Sequence, residues 1–226
     1  MKTTFLLASF IAFIFISCTK NNTNNTTPAA DSYLNTNAGS TWNYHTSDSS
    51  GTTPTNTDYT LTSSTQDTTI NSKKYHIYGI SSGGSQYMNL SGNSYYQYDS
   101  VPVAGGGKIE RLYLEDNAAV NKSWSQSFTL NNIPNSPVPI PLTVTNTVVE
   151  KGISRMVNGV NYSNVIHIST NLSSSLVPAA AFTSAIDTYY APNYGLIDSK
   201  TIVHLNYLGI TENANTATQL MSANLK

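Results

Sequence analysis

The side chains with the most chemical potential in this sequence are its histidines, its serines and a few acids. The four histidines are His45, His76, His167 and His204. None is at the spacing of a metal-binding pair, and none lies beside a cluster of acidic residues in the sequence. A structural zinc ion needs four converging ligands and a catalytic one three. The sequence therefore predicts no metal site.

Serine catalysis also lacks a sequence signature. No serine lies in the Gly-x-Ser-x-Gly motif that exposes a nucleophile at a sharp turn, and no Ser/His/Asp arrangement can be read. The most closely spaced acids are Glu110, Glu115 and Asp116, beside Arg111. Paired carboxylates can hydrolyse glycosides, but we interpret these as the exposed end of a charged strand. We predict no catalytic residue and no cofactor, and we expect the chain not to be an enzyme.

A group of tyrosines is the candidate ligand-binding face. Tyr95, Tyr96 and Tyr98 lie in one segment, and Tyr113 lies in the next. Aromatic faces of this kind stack on sugars or accept apolar groups. The alternative is cross-strand packing of the same side chains within a sheet.

The N-terminus has the pattern of a secretory signal peptide. Lys2 supplies a positive charge, and an apolar region of about a dozen residues runs from Phe5 to Ile16. A membrane-spanning helix needs about 20 apolar residues, so this region is too short to span.

The end of this region, Phe15-Ile16-Ser17-Cys18, resembles the lipobox of bacterial lipoproteins, with Phe15 at the position usually held by Leu. In that family the cysteine is diacylated, the signal peptide is cut before it, and the new amine is acylated. The resemblance implies that residues 1–17 are removed and that Cys18 carries lipid. The alternative is an ordinary signal peptide cut a few residues later, which would discard Cys18.

Cys18 is the only cysteine in the chain. A lipidated mature chain therefore has no thiol left for a disulfide, although an oxidising compartment would allow one. Two or more acyl chains hold a protein stably on a membrane, whereas one chain holds it weakly.

A disordered tether is predicted after Cys18, so that residues 18–32 form the lipidated cysteine and its tether. The segment is rich in Asn and Thr and has no periodic apolar residues. As a flexible coil it would span roughly 20 Å. Thr19 replaces the Asp that marks inner-membrane retention in enteric bacteria, so the resemblance favours the outer membrane. The periplasmic and the cell-surface sides both remain open.

The rest of the chain, residues 33–226, is predicted to be a single β-rich domain. Its 15 tyrosines, with many Thr and Val residues, favour strands, and Asn, Gly and Ser favour turns. Residues 86–90 and 94–98 alternate around a short Gly-containing loop, which predicts a hairpin. Asn158-Gly159 is the strongest tight-turn signal. A net charge of −1 with 10% charged residues offers no basic patch, so no nucleic-acid partner is expected.

The predicted fold class is mainly β, with a curved antiparallel sheet or half-barrel, or alternatively a β-sandwich. At most one or two short helices are expected, and the candidate covers residues 176–186. Pro137, Pro139 and Pro141 would remove hydrogen-bond donors from one side of an extended strand. This suits an edge strand, and the alternative is a polyproline II loop.

Two local patterns resemble uncharacterised lipoproteins of the Bacteroidota type. Tyr33-Leu34 leads into Gly39-x-x-Trp42-x-Tyr44, and residues 190–196 read Tyr-Ala-Pro-x-x-Gly-Leu. The resemblance implies a curved antiparallel sheet, related in shape to the half-barrels of lipoprotein carriers. From the residues themselves, we expect Trp42 and Tyr44 to pack inward from one strand face, and Gly195 to adopt a turn conformation that other residues resist.

The leading functional hypothesis is a membrane-anchored, non-enzymatic envelope lipoprotein that binds or scaffolds a lipid or a hydrophobic peptide. The alternative is a glycan-binding or adhesive module. A second alternative is a hydrolase whose residues are dispersed along the sequence. The membrane, reached through the N-terminal lipid, is the one partner common to the first two hypotheses.

Replacing Cys18→Ser is expected to abolish incorporation of labelled palmitate, because the serine hydroxyl does not replace the acylated thiol. The measurement is radiolabelled or alkyne-palmitate incorporation, with globomycin-sensitive processing of the parent chain as the control. Equal labelling of the two chains would refute lipidation at Cys18.

Overall fold

The computed structural model describes residues 32–100, 108–131, 138–207 and 209–226. The predicted signal peptide, Cys18 and all of the predicted tether except Ser32 lie outside these residues. In the described part of the chain, no helix is long and apolar enough to cross a membrane.

Twelve β-strands make up almost all of the regular structure. They are β1 (Thr41–Asp48), β2 (Thr55–Ile70), β3 (Lys73–Ile80), β4 (Ser85–Ser91), β5 (Ser94–Ser100), β6 (Lys108–Glu115), β7 (Ser123–Leu130), β8 (Ile140–Val157), β9 (Val160–Ser173), β10 (Phe182–Ala191), β11 (Gly195–Tyr207) and β12 (Ile210–Asn224).

All twelve strands belong to one antiparallel sheet. The order across the sheet is β6-β5-β4-β3-β2-β1-β12-β11-β10-β9-β8-β7, so each strand lies beside its neighbour in sequence. The exceptions are the pairing of β1 with β12 and the two sheet edges, β6 and β7. The prediction of a curved antiparallel sheet is confirmed, and the two sheets of a sandwich are not present among the described residues.

The helix predicted over residues 176–186 is wrong. Only Ala179–Ala181 form a 3₁₀ turn, and β10 begins at Phe182. From that residue onward β10 pairs along its length with β11, and from Ile186 it also pairs with β9. Hydrogen bonding to two neighbouring strands therefore outweighs the local helical preference of this segment.

The prolines that suggested an edge strand lie at the start of β8. Pro141 pairs with Thr129 of β7, whereas β9 begins to pair with β8 only at Thr143. Pro141 therefore has a neighbour on one side only, which is where a missing N–H is tolerated. Pro137 lies outside the described residues.

The two sheet edges, β6 and β7, approach each other at Leu112 of β6. Hydrogen bonds from side chains connect them there instead of a backbone ladder. The Leu112 N–H donates to Gln126 Oε1 at 2.6 Å. The Leu112 carbonyl accepts from Trp124 Nε1 at 3.0 Å and from Asn146 Nδ2 at 3.1 Å. These three bonds satisfy an edge backbone that would otherwise be unpaired. We call this contact the seam.

Because successive strands run in opposite directions, every second turn lies at the same end of the sheet. One end carries the turns β2–β3, β4–β5, β6–β7, β8–β9 and β10–β11. Ser32 also lies there, since its carbonyl accepts from the backbone N–H of Asn193 between β10 and β11 at 2.7 Å. We call it the entry end.

The entry end is covered by the chain itself. The β8–β9 hairpin continues past the end of β7 through three irregularities in its register. Val157 and Tyr162, near its tip, are buried with Trp42, Tyr44 and Leu220 in one apolar cluster. The Asn158 side chain fixes the tip by donating to the Leu220 carbonyl at 2.8 Å. As predicted, Asn158-Gly159 forms the tight turn, and Trp42 and Tyr44 pack inward.

Replacing Gln126→Leu is expected to lower the free energy of unfolding by about 1–3 kcal/mol, because the Leu112 N–H loses its acceptor. Urea unfolding followed by circular dichroism measures the change. Ser125→Ala is the control, since the neighbouring hydroxyl lies on the exposed side of β7, where it bonds only to the Thr145 hydroxyl, and its loss should cost less than about 0.5 kcal/mol. Equal effects of the two substitutions would contradict a stabilising seam.

Candidate functional site

A cavity of about 120 Å³ lies inside the curve of the sheet near the entry end. Its walls come from the segment 32–38, from strands β1 to β6 and from the β10–β11 turn. The lining residues are Tyr33, Leu34, Asn35, Trp42, Tyr44, Tyr59, Leu61, Tyr78, Gln86, Met88, Gln97, Tyr113, Tyr190, Tyr194, Gly195 and Leu196. Seven of these are tyrosines, so we call it the tyrosine cavity.

The two sequence patterns that resemble bacterial lipoproteins meet at this cavity. The first supplies Tyr33, Trp42 and Tyr44, and the second supplies Tyr190 and Gly195. The sequence interpretation gave these residues purely structural roles. Nothing in a single sequence shows that two segments about 150 residues apart share a wall.

Gly195 lies where the two patterns touch. Its φ is +68°, a conformation that side chains with a Cβ rarely adopt. A Cβ there would lie 3.4 Å from the Tyr33 carbonyl oxygen, which is ordinary contact distance. The expected turn conformation at Gly195 is therefore confirmed, and backbone conformation rather than lack of space favours glycine there.

Tyrosine hydroxyls hold that entering chain by bonding to the backbone. Tyr78 Oη donates to the Asn35 carbonyl at 2.7 Å, and Tyr95 Oη accepts from the Tyr33 N–H at 3.2 Å. Tyr33 Oη reaches across to the Asn164 carbonyl at 2.6 Å. An irregular segment lacks a ladder for its own peptide groups, so these hydroxyls take that role.

The lining of the cavity carries no charged side chain. No Asp, Glu, Lys, Arg or His belongs to it. Burial, with smaller contributions from neighbouring tyrosines, raises the pKa of Tyr44 and of Tyr113 well above the ordinary value, so both phenols stay protonated. Arg111 supplies a charge beside the lining, since its Nη2 donates to Oε1 of the lining residue Gln97 at 3.4 Å.

One donor in the cavity wall is unsatisfied. Trp42 is 3% exposed, and its Nε1 has no hydrogen-bond partner among the described residues. The other tryptophan, Trp124, donates its Nε1 to the Leu112 carbonyl of the seam. A buried donor without an acceptor is rare in folded proteins, and the Nε1 atom is enclosed by protein atoms although Trp42 lines the cavity.

An open groove of about 830 Å³ adjoins the cavity at the entry end. Leu34 and Met88 line both spaces and form the wall between them. In contrast to the cavity, the groove carries charge, because Asp67, Lys74 and His76 lie on its surface.

The groove contains a Ser/His/Asp arrangement that the sequence did not reveal. Ser63 Oγ lies 2.8 Å from His76 Nε2, and His76 Nδ1 lies 2.8 Å from Asp67 Oδ1. The Ser63 and Asp67 side chains approach one ring because β2 bulges between them against β3. The alternation of residue types along β3 does not predict this contact, because the contact depends on the extra residues of the bulge in β2.

The burial of these three groups is the reverse of that in a serine hydrolase. Ser63 is 2% exposed and lines neither the groove nor the cavity, so its oxygen is out of reach of a substrate. The Asp67 side chain is instead 35% exposed, and Lys74 Nζ lies 2.7 Å from it. Hydrogen bonds from Lys74 and then His76 lower the pKa of the Asp67 carboxyl. We interpret the arrangement as a clamp on the β2 bulge.

Two other histidines also pair with acids that are distant from them in the sequence. His45 Nδ1 is 2.6 Å from Asp58. His167 lies between Glu150, at 3.1 Å, and Asp187, at 2.8 Å. These pairs form across strands, where sequence spacing gives no signal. Within the described ranges, no group of three or more His, Cys, Asp or Glu side chains could hold a metal ion.

The predicted tyrosine face divides between the two sides of the sheet. Tyr113 lines the cavity and lies 6.2 Å from Tyr95, which is buried. Tyr96 and Tyr98 alternate with Tyr95 and Gln97 along β5, so they point to the outer side. There the Lys73 ammonium lies 4.2 Å from the Tyr96 ring.

Comparison with known proteins gives two structural likenesses. One is a structure described as a putative lipoprotein from Parabacteroides distasonis, with 10% identity, a TM-score of 0.45, and coverage of 85% of this chain and 98% of that one. The other is described as a putative exported protein with a YmcC-like fold from Bacteroides fragilis, with 11% identity, a TM-score of 0.46, and coverage of 84% and 98%. Likeness at this level says nothing about a ligand or an activity. No family model and no curated protein matches the chain.

A fluorophosphonate probe is expected to leave this chain unlabelled, because the Ser63 oxygen is buried away from the groove. The measurement is covalent labelling read by mass spectrometry, with a serine hydrolase as the positive control. Labelling that disappears in Ser63→Ala but survives in Ser64→Ala, at a groove-lining position, would show that Ser63 is a nucleophile and revive the hydrolase hypothesis.

Proposed function

We propose that this chain is an outer-membrane lipoprotein, anchored by lipid on Cys18, whose β body binds a small uncharged ligand in the tyrosine cavity. The ligand class is an uncharged ring that bears hydroxyl groups, such as a sugar unit. The proposal develops the glycan alternative of the sequence analysis in preference to a lipid or hydrophobic peptide.

The unsatisfied Trp42 donor is the observation that carries the proposal. Leaving a buried donor without an acceptor costs about 1–3 kcal/mol. Because protein atoms enclose Nε1, a hydroxyl or carbonyl oxygen of a ligand would remove that cost after a small shift of the indole. An acyl chain offers no acceptor, so it would leave the donor as it is.

The size and lining of the cavity support the same class. One water molecule needs about 10–15 Å³ of such a space, so about 120 Å³ corresponds to a small molecule or one ring. A long acyl chain would require more room. The tyrosine rings offer flat faces to the C–H face of a sugar ring, and Asn35 and Gln86 place amides in the wall.

The groove provides the route of entry. Met88 separates the groove from the cavity, and its unbranched thioether side chain adapts its shape more readily than a branched one. Rotation of Met88 would join the two spaces, and the remainder of a longer ligand would then lie in the groove.

Trp42→Phe is expected to weaken sugar binding about three- to tenfold, because it removes the N–H donor and keeps an aromatic ring. Calorimetry and ligand-detected NMR with a panel of neutral monosaccharides and disaccharides measure the change, with a fatty acid included for comparison. Trp124→Phe is the matched control, since that indole bonds at the seam and lies outside the cavity lining.

Two outcomes would overturn the binding proposal. One is binding of the fatty acid with no binding of any sugar. The other is an equal loss of sugar affinity in Trp42→Phe and Trp124→Phe, which would indicate a general disturbance of the fold.

A further inference from the structure

We propose that the entry end of the sheet rests on the lipid bilayer surface through a rim of exposed apolar side chains. The inference rests on the proposed lipid anchor at Cys18. It adds a second, non-covalent membrane contact and fixes which end of the body faces the membrane.

Several exposed apolar side chains lie at the entry end. Among the described residues, nine large hydrophobic side chains are exposed. Five of these belong to strand ends or turns on the entry side. The five are Leu90, Val120, Met156, Val160 and Met221.

The densest part of this rim is the tip of the β8–β9 hairpin. Met156 is 72% exposed and Val160 47% exposed, on either side of the turn. The Asn158 amide holds this turn against β12, where it contacts both the Leu220 carbonyl and Met221 Sδ. Met221 is itself 47% exposed, so an exposed apolar side chain of β12 lies beside the turn that carries Met156 and Val160.

The position of the chain entry identifies the membrane as the occupant of this rim. Ser32, at the β10–β11 turn, is the first described residue. The residues between it and Cys18 would span roughly 20 Å as a flexible coil. A lipid on Cys18 therefore keeps the entry end closer to the bilayer than any other part of the sheet.

Two exposed lysines lie near the rim, in the same region as the acids Glu115, Asp116 and Glu150. Lys122 and Lys151 are both exposed beside the β6–β7 turn that carries Val120. Neither side chain forms an ion pair with a described residue, and Lys151 Nζ donates only to the Ala118 carbonyl. Exposed lysines beside apolar side chains are typical of proteins that bind at the membrane interface, because the ammonium groups meet anionic head groups.

The test uses the absence of any thiol besides Cys18. Val160→Cys and Leu176→Cys place single thiols at positions of equal exposure, 47%, on opposite ends of the sheet. Each full-length lipidated chain is labelled with an environment-sensitive fluorophore. It is then incorporated into vesicles of equal parts phosphatidylethanolamine and phosphatidylglycerol, and Met221→Cys repeats the measurement on β12.

Labels at residues 160 and 221 are expected to shift to the blue and to gain at least about twofold in emission on vesicles, whereas the label at residue 176 stays unchanged. Flotation of the same samples separates the two proposals. Chains that float but give equal signals at residues 160 and 176 overturn the bilayer contact and leave the anchor intact. Lipid-processed chains that fail to float overturn both.

Discussion

The constraint on which this structure depends is the burial of an irregular chain segment inside a sheet. Residues 32–35 enter the curve at one end and do not pair with a strand ladder, so their peptide groups need other partners. The hydroxyls of Tyr78 and Tyr95 and the backbone of Asn193 provide them. Tyr95 Oη donates in turn to Asp116 at 2.7 Å, which fixes its orientation toward the Tyr33 N–H. A phenylalanine could fill the same volume but would leave these peptide groups unsatisfied.

This constraint also explains why the interior is aromatic yet polar. The chain contains 15 Tyr and only 6 Phe, and the tyrosines of the interior combine a large apolar ring with a hydroxyl. On the outer side, Arg155 pairs with Asp198 and stacks on Tyr189, at 3.3 Å from the ring centre. The cavity that remains has hydrogen-bonding groups but no charged side chain in its lining. The proposed preference for an uncharged ligand would thus follow from how the fold is held together.

The local part of this architecture could be predicted from sequence, and the non-local part could not. Alternation and turn residues identify the hairpins around Gly92 and Asn158-Gly159, because both depend on neighbouring residues. The seam at Leu112, the meeting of Tyr44 with Leu196 and the Ser63–His76 contact depend on the curvature and register of the whole sheet. Alternation along β5 places Tyr95 on one face of the strand and Tyr96 and Tyr98 on the other, so the sequence alone contains the information needed to separate these tyrosines. The helix prediction for residues 176–186 failed for a different reason, because pairing with two neighbouring strands determines the conformation of this segment.

The groove and the chain entry lie at the same end of the sheet, which would connect the proposed anchoring with the proposed binding. The groove is lined by Leu34 and Thr36 of the entering segment, so it opens at the same end as the proposed tether. If the entry end rests on a bilayer as proposed, the mouth of the groove would lie within the reach of the tether, and a ligand would arrive along the membrane surface. Asp67 and Lys74 at that mouth would then face the head-group region, where charged groups remain hydrated. Because Leu34 and Met88 form the wall between the groove and the tyrosine cavity, a ligand would pass the charged mouth before it reached the cavity.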